Sequence, residues 1–364
     1  MKFSPMKCIS LSGMVLLSLM LVNCREESTQ SRQDFTGLDY SSLAAAFTQS
    51  KALLTEDLLS LVPGDIELLE FRTYLEETAL YLEEKKAQTQ EEIDDVLKWL
   101  NILSERIKQW EPTEIPPPWP LVECGNAVIA APEGIDKFYA KYTNAYNGDF
   151  TQGIPIVAIA DIPDEYILKM REVVNMLLRK RPDVRAVMVD KSYSMAMRIK
   201  ESDSIPHRNF QTPQEISEHY TGMHDFCPLE EFLHALQEIG IQKVDPGVSR
   251  EIIDAYKAAI EKEDVFDPYG TIGSEDEWPF LGMSAADFAT EEARKRLYLS
   301  PKVVSSFVVT EYFGLGVCVW HGNLYPGEIL IETREEFAEA DPALDEIIRR
   351  YFIDDDWRCT REEK

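Results

Sequence analysis

The sequence lacks the signatures of several large enzyme classes and has few basic residues. It has no P-loop, no dinucleotide-binding glycine motif, no serine nucleophile elbow and no paired-aspartate motif. No Cys-x-x-Cys pair or Cys-His cluster indicates a structural zinc site. Only 37 lysines and arginines stand against 65 aspartates and glutamates, so the formal net charge is −28. This charge disfavours nucleic acid and anionic membrane surfaces as partners.

The apolar run near the start of the sequence is too short to span a bilayer and fits an export signal. It covers residues 9–22, follows two lysines and is typical of a signal-peptide core. It ends in the segment Leu-Val-Asn-Cys, which resembles the lipobox of bacterial lipoproteins, although Asn23 replaces the usual Gly or Ala. The resemblance implies cleavage after residue 23 and lipidation of Cys24, which would anchor the chain in the bacterial cell envelope, outside the cytoplasm. A cleaved secretory signal with an incidental cysteine is the alternative.

The cysteines beyond Cys24 leave the disulfide content open. They are Cys124, Cys227, Cys318 and Cys359. An even count in an oxidising compartment permits one or two disulfides, and four cysteines allow three pairings. Buried thiols explain the same residues equally well.

The sequence after the signal begins with a helical region. Residues 24–40 are polar and predict a tether, and residues 41–110 have helical periodicity throughout. Pro63-Gly64-Asp65 separates the first helix from the second, and Thr89 with Glu92 forms a capping box that opens the third. The third helix has an apolar stripe with spacings of three and four: Ile93, Val96, Leu97, Leu100, Leu103, Ile107 and Trp110. These features predict a small bundle of three antiparallel helices with the stripe in its core.

A proline-rich linker separates this bundle from a mixed region. Residues 111–121 contain five prolines, which make the chain stiff and extended. The domain predicted from residue 122 to residue 364 has strand patterns at residues 153–158 and 193–199. Its helices are predicted at residues 163–178, 228–240, 249–262 and 309–319, with further caps at Thr333 and Asp341. The sequence therefore predicts an α+β fold in which a helical bundle precedes a helix-rich domain with a small sheet.

One of these helices carries an incomplete metal-binding motif. In an HExxH peptidase, two histidines one turn apart bind Zn²⁺, and the glutamate between them is the general base. Here Glu230 occupies the position of the first histidine, Glu231 that of the base and His234 that of the second ligand. A solvated Glu230–Glu231 face beside a half-buried structural histidine explains the same pattern, because Glu-x-x-His is common.

Ten short segments of the mixed region stand in an informative order. They are residues 138–142, 153–157, 162–165, 181–185, 203–206, 230–239, 311–313, 333–336, 341–342 and 356–358. In this order they resemble a family of secreted bacterial proteins whose zinc metallopeptidase domain is similar to that of anthrax lethal factor. The resemblance covers about residues 136–359, not the preceding bundle, and it implies a zincin-like domain. It also implies that Glu230, His234 and Glu311 would be the metal ligands and Glu231 the general base.

Departures from the family pattern predict weak or absent zinc binding. Glu230 adds a carboxylate where the family has imidazole, so more of the metal charge is offset and zinc is held less well. Leu315 stands where the family has a second supporting glutamate. Tyr298 is only a distant counterpart of a tyrosine that often precedes the third ligand. The expected glycine-rich loop before the helix is absent, and His224 in that segment is a further candidate ligand.

Two functions from different classes are therefore expected. In the first, the chain is a lipid-anchored lipoprotein whose metallopeptidase-like domain is non-catalytic and binds a protein or peptide. In the second, it is an active zinc-dependent peptidase that uses the residues named above. A third option is that the helical bundle is an adhesion or interaction module.

Overall fold

Helices make up most of the described chain, and a small sheet lies among them. The computed structural model describes residues 37–61, 66–111, 119–135, 137–197, 227–261, 290–307, 311–322, 331 and 333–359. The strands are β1 (Ile129–Ala130), β2 (Lys141–Ala145), β3 (Ile154–Ala158) and β4 (Met195–Met197), in the order β1-β2-β3-β4. Neighbours pair antiparallel except β3 and β4, which are parallel. The predicted α+β class is confirmed, whereas a zincin-like arrangement of these elements stays a prediction.

The described helices are numbered here in chain order. They are α1 (Ser41–Lys51), α2 (Glu56–Leu61), α3 (Ile66–Glu84), α4 (Gln90–Gln109), α5 (Asp164–Leu177), α6 (Pro182–Asp190), α7 (Cys227–Ala235), α8 (Gln242–Val244), α9 (Val248–Glu261), α10 (Glu291–Tyr298), α11 (Pro301–Phe307), α12 (Phe313–Trp320), α13 (Arg334–Ala340) and α14 (Pro342–Tyr351). A π-helical segment, Leu236–Ile241, joins α7 to α8. No described helix has both the length and the apolar composition of a membrane span.

The N-terminal helices pack as the apolar stripe predicts. Thr89 Oγ1 accepts a hydrogen bond from the Glu92 backbone N–H at 3.2 Å, which caps α4. Five stripe residues are buried: Ile93, Val96, Leu100, Leu103 and Ile107. The predicted first helix is interrupted, because α1 ends at Lys51 and α2 starts anew after Thr55, whose hydroxyl accepts from Leu58 N at 3.3 Å. The predicted break at residues 63–65 lies outside the described residues.

A buried ion cluster links these helices to the later part of the chain. Glu77 on α3 is 4 % exposed, and its carboxylate pairs with two cations on α9. Arg250 Nη1 lies 3.0 Å from one carboxylate oxygen, and Lys257 Nζ contacts the other. Helix α11 also packs against α3. The predicted boundary at residues 111–121 stays a prediction, because residues 112–118 are not among those described.

The two inner strands of the sheet are largely buried, whereas the edge strand β1 is partly exposed. All five residues of β3 are buried, as its continuous apolar run predicts. Gly153 precedes β3 because a Cβ there would lie 1.8 Å from Asn144 Oδ1. Helix α5 packs on β2 and β3 with the apolar face predicted from its periodicity. The strand predicted at residues 193–199 is confirmed at Met195–Met197, and residues 198–226 are outside the described chain.

Candidate metal site

Helix α7 places His234 at the edge of a buried helix face. Leu229, Phe232 and Leu233 are fully buried, and their spacing fixes which side of the helix faces the interior. His234 lies next to this face, and its side chain is 19 % exposed. The backbone of Glu230 and Glu231 belongs to the same helix, whereas their side chains are not among those that the structure describes.

A π-helical segment begins two residues after His234, at Leu236. Single π-helical turns in proteins are frequent at functional sites, because the extra residue re-aims neighbouring side chains. Here Gly240 lets the segment approach α6 closely, since a Cβ at this position would lie 2.7 Å from Val184 Cγ1. The contact between the π-helical segment and α6 therefore holds the C-terminal side of the His234 helix in place.

Glu311 comes to His234 from a distant part of the sequence. It lies in a π-helical turn ahead of α12, and α12 packs against α7. Glu311 Oε1 is 3.7 Å from His234 Nε2, and the Glu311 side chain is 32 % exposed. The adjacent Tyr312 is buried and donates its hydroxyl hydrogen to Asp341 Oδ2. Asp341 Oδ1 also caps α14 by accepting from Leu344 N at 3.0 Å, so the turn that carries Glu311 is anchored at its neighbour.

The His234–Glu311 distance fits two ligands of one metal. Two donor atoms about 2.1 Å from a tetrahedral zinc lie roughly 3.4 Å apart, so a separation of 3.7 Å needs only a small adjustment. The same distance suits an ion pair when the imidazole is protonated. Among the described side chains no group of three such ligands occurs, and the Glu230 carboxylate does not belong to them.

The other residues named in the sequence analysis are described only in part. Leu315, which the sequence resemblance aligned with a supporting glutamate, is half-buried on α12. Tyr298 is buried at the end of α10. Within the described residues, no disulfide includes Cys124, Cys318 or Cys359, and the Cys227 side chain is not described. Cys24 and His224 lie outside the described chain.

A second histidine, at the other end of α12, was not expected to form a site. His321 is 2 % exposed, and its ring makes edge contacts with Trp320, Phe352 and Trp357 at centroid distances of 4.9, 5.6 and 5.0 Å. Neither ring nitrogen has a hydrogen-bond partner in the described part of the chain. Burial, reinforced by nearby Arg334, lowers the pKa of His321 to about 3. The sequence could not reveal this enclosure, because its walls come from separate segments.

The chain matches no protein-family model, no curated protein sequence and no solved structure. The metallopeptidase resemblance therefore stays a prediction from the sequence.

Proposed function

We propose that this chain is a membrane-anchored, extracytoplasmic lipoprotein whose metallopeptidase-like domain is non-catalytic and binds a protein or peptide. One observation carries the proposal: His234 and Glu311 lie 3.7 Å apart, as two ligands of one metal would, while Glu230 occupies the position of the first histidine of the motif. The packing of α7 against both α5 and α12, beside the small sheet, supports a zincin-like arrangement.

The chemistry of the ligand set explains why hydrolysis is not expected. Bound zinc would supply Lewis acidity and lower the pKa of the attacking water. A set of Glu230, His234 and Glu311 carries two negative charges, which offset the metal charge and reduce this effect. Imidazole also suits zinc better than carboxylate does, so zinc affinity falls as well. Leu315, one turn after Glu311, is a half-buried apolar side chain that could contact a bound peptide.

An active zinc peptidase is the second candidate, and the same distance favours it. His234 and Glu311 already lie close enough to share a metal. Glu230 lies one turn before His234 on the same helix, so its carboxylate is the third candidate ligand. Glu231 would then act as the general base that takes the proton from the attacking water.

Zinc content and peptide cleavage separate the two candidates. The purified full chain is exposed to zinc, dialysed and analysed for metal, and its cleavage of a mixed peptide pool is followed by mass spectrometry. Glu231→Gln tests the base, and Glu261→Gln, at an exposed position on α9, is the control. We expect little retained zinc and no cleavage. Near-stoichiometric zinc, with cleavage lost only in Glu231→Gln, would instead establish the peptidase.

Peptide binding is tested directly by display selection on the immobilised full chain. Enriched peptides should bind the wild-type protein and lose binding to Leu315→Arg, because a charge then replaces the apolar side chain one turn after Glu311. Peptides that bind both proteins equally well would show that the surface at Leu315 is not the peptide-binding surface.

The lipid anchor has its own test. We expect the Cys24→Ser variant, expressed in a bacterium, to leave the membrane fraction because it cannot be acylated. Equal membrane retention of both proteins would rule out anchoring through Cys24.

A further inference from the structure

A cleft far from α7 in the sequence lies between α4 and α10, and we name it the α4–α10 cleft. Its volume is about 390 Å³, within the range of roughly 300–1,000 Å³ that small-molecule sites occupy. Helices α3 and α4 form one wall, and α10, α11 and the residues between them form the other. None of the residues discussed for the candidate metal site lines it.

Aromatic rings supply the apolar part of the cleft. Trp99 is half-buried, and Lys302 Nζ lies 4.3 Å from its ring centroid. Tyr81 is 7 % exposed, and burial together with the nearby Glu92 carboxylate raises its pKa, so its hydroxyl keeps its proton. Tyr74 contributes only its ring, because its hydroxyl donates to the Val96 carbonyl at 3.0 Å. Because Tyr74 and Tyr81 are buried, the half-buried Trp99 is the ring of the three against which the C–H groups of a ligand can pack.

Hydrogen-bonding groups of both kinds face each other across the cleft. Glu92 and Asp95 on α4 are acceptors, and Arg296 and Lys302 on the opposite wall are donors. Arg296 Nη1 donates to Glu92 Oε1 and to Gln88 Oε1, each at 3.1 Å, so its Nε and Nη2 are the groups that would meet a ligand. Asp95 is exposed and makes no hydrogen bond or ion pair with a described residue, so its carboxylate is an available acceptor.

The cleft is lined by nearly equal numbers of positive and negative side chains, and this balance indicates which class of ligand fits. The lining carries three cations, Lys86, Arg296 and Lys302, and two carboxylates, Glu92 and Asp95. A compact anion would meet the carboxylates, and a compact cation would meet the lysines and the arginine. A neutral ligand rich in hydroxyl groups avoids both, because each hydroxyl donates to a carboxylate or accepts from a cation.

We propose that the α4–α10 cleft is a carbohydrate-binding site. Trp99 packs against the apolar face of a sugar ring, and Asp95 and Arg296 bond its hydroxyls. This function is independent of the candidate metal site.

Titration of the full-length protein with maltotriose, cellotriose and chitotriose, followed by calorimetry, tests the site. Asp95→Asn removes the available carboxylate. Asp94→Asn is its matched control, because Asp94 is an exposed neighbour on the same helix that bonds Gln90 at 3.1 Å and does not line the cleft. Neither change disturbs a buried contact, so both variants should fold.

We expect at least one of the three sugars to bind. Asp95→Asn should weaken that binding about tenfold, as the loss of a charge-assisted hydrogen bond does. Asp94→Asn should change it by less than about twofold, and Trp99→Ala should abolish it where Trp99→Phe retains part. No heat with any of the sugars, equal effects of the two aspartate variants, or binding of acetate or tetramethylammonium instead would overturn the proposal.

Discussion

The two ends of helix α12 carry histidine environments of opposite character. Before its first residue, Glu311 Oε1 lies 3.7 Å from His234 Nε2, and both side chains are partly open to solvent. After its last residue, His321 is sealed by aromatic rings, and the guanidinium of Arg334 stacks on one of them, Trp320. One imidazole has a carboxylate beside it, and the other faces aromatic rings and cations.

This difference shows that an imidazole acquires its role from its neighbours. His234 and Glu311 have the spacing of two ligands of one metal. His321 does not take up a proton near neutral pH, because burial and the cations around it oppose its protonation. The proposed site therefore lies at the first end of α12, and His321 has a packing role at the second.

The largest effect should follow from restoring the missing imidazole. Glu230→His places two histidines one turn apart on α7, beside Glu311, and should raise zinc affinity roughly 100-fold, or about 3 kcal/mol. Competition with a chromophoric chelator measures this. His321→Phe is the control and should leave zinc affinity unchanged. An unchanged affinity in Glu230→His would mean that His234 and Glu311 do not form a metal site.

The second-largest effect is expected at the His321 end of α12. The folded pKa of His321, about 3, is below its unfolded value of about 6.5, so the unfolded chain binds more protons between these pH values. The contribution of His321 to the free energy of unfolding is close to zero above pH 6.5. It becomes increasingly destabilising as the pH falls towards 3. His321→Phe should reduce the stability difference between pH 8 and pH 5 by about 2 kcal/mol, measured by urea unfolding. Parallel pH profiles of the two proteins would contradict this account.

The third-largest effect is expected at the Glu311 end of α12. Glu311→Gln keeps the shape of the side chain and removes its charge, so zinc affinity in the Glu230→His background should fall about tenfold, or about 1.4 kcal/mol. Glu335→Gln, at an exposed position on α13, is the control for charge alone. Equal losses in the two variants would assign the effect to net charge and not to coordination.

Local patterns in the sequence predicted much of the fold. The Thr89 cap, the apolar stripe of α4 and strand β3 are confirmed, because each depends on neighbours within a few residues. The capping box of Thr333 and the cap at Asp341 are confirmed for the same reason. The break after Lys51 was missed; it is formed by backbone turn bonds at residues 50–55 and by the cap at Thr55.

Features that depend on contacts between residues far apart in the chain could not be predicted from the sequence. The walls around His321 come from α12, the end of α14 and the segment that follows it, and the cations around Glu77 lie on another helix. His234 and Glu311 were paired beforehand only through the family resemblance, because no local pattern relates them. The structure brings the two together, and the role of Glu230 stays a prediction.

The smallest effect tests whether the two ends of α12 are independent. Thr333 caps α13 through its bond from Glu336 N at 3.1 Å, and Thr333→Ala should cost about 1 kcal/mol of stability. The next residue, Arg334, donates from Nε to the Trp320 carbonyl at 2.9 Å. The loss of stability is therefore expected at the His321 end of α12. Zinc affinity in the Glu230→His background should not change, because the Tyr312–Asp341 bond that anchors Glu311 lies at the opposite end of α13 from the Thr333 cap. A parallel fall in zinc affinity and stability would show that α12 transmits strain between its ends.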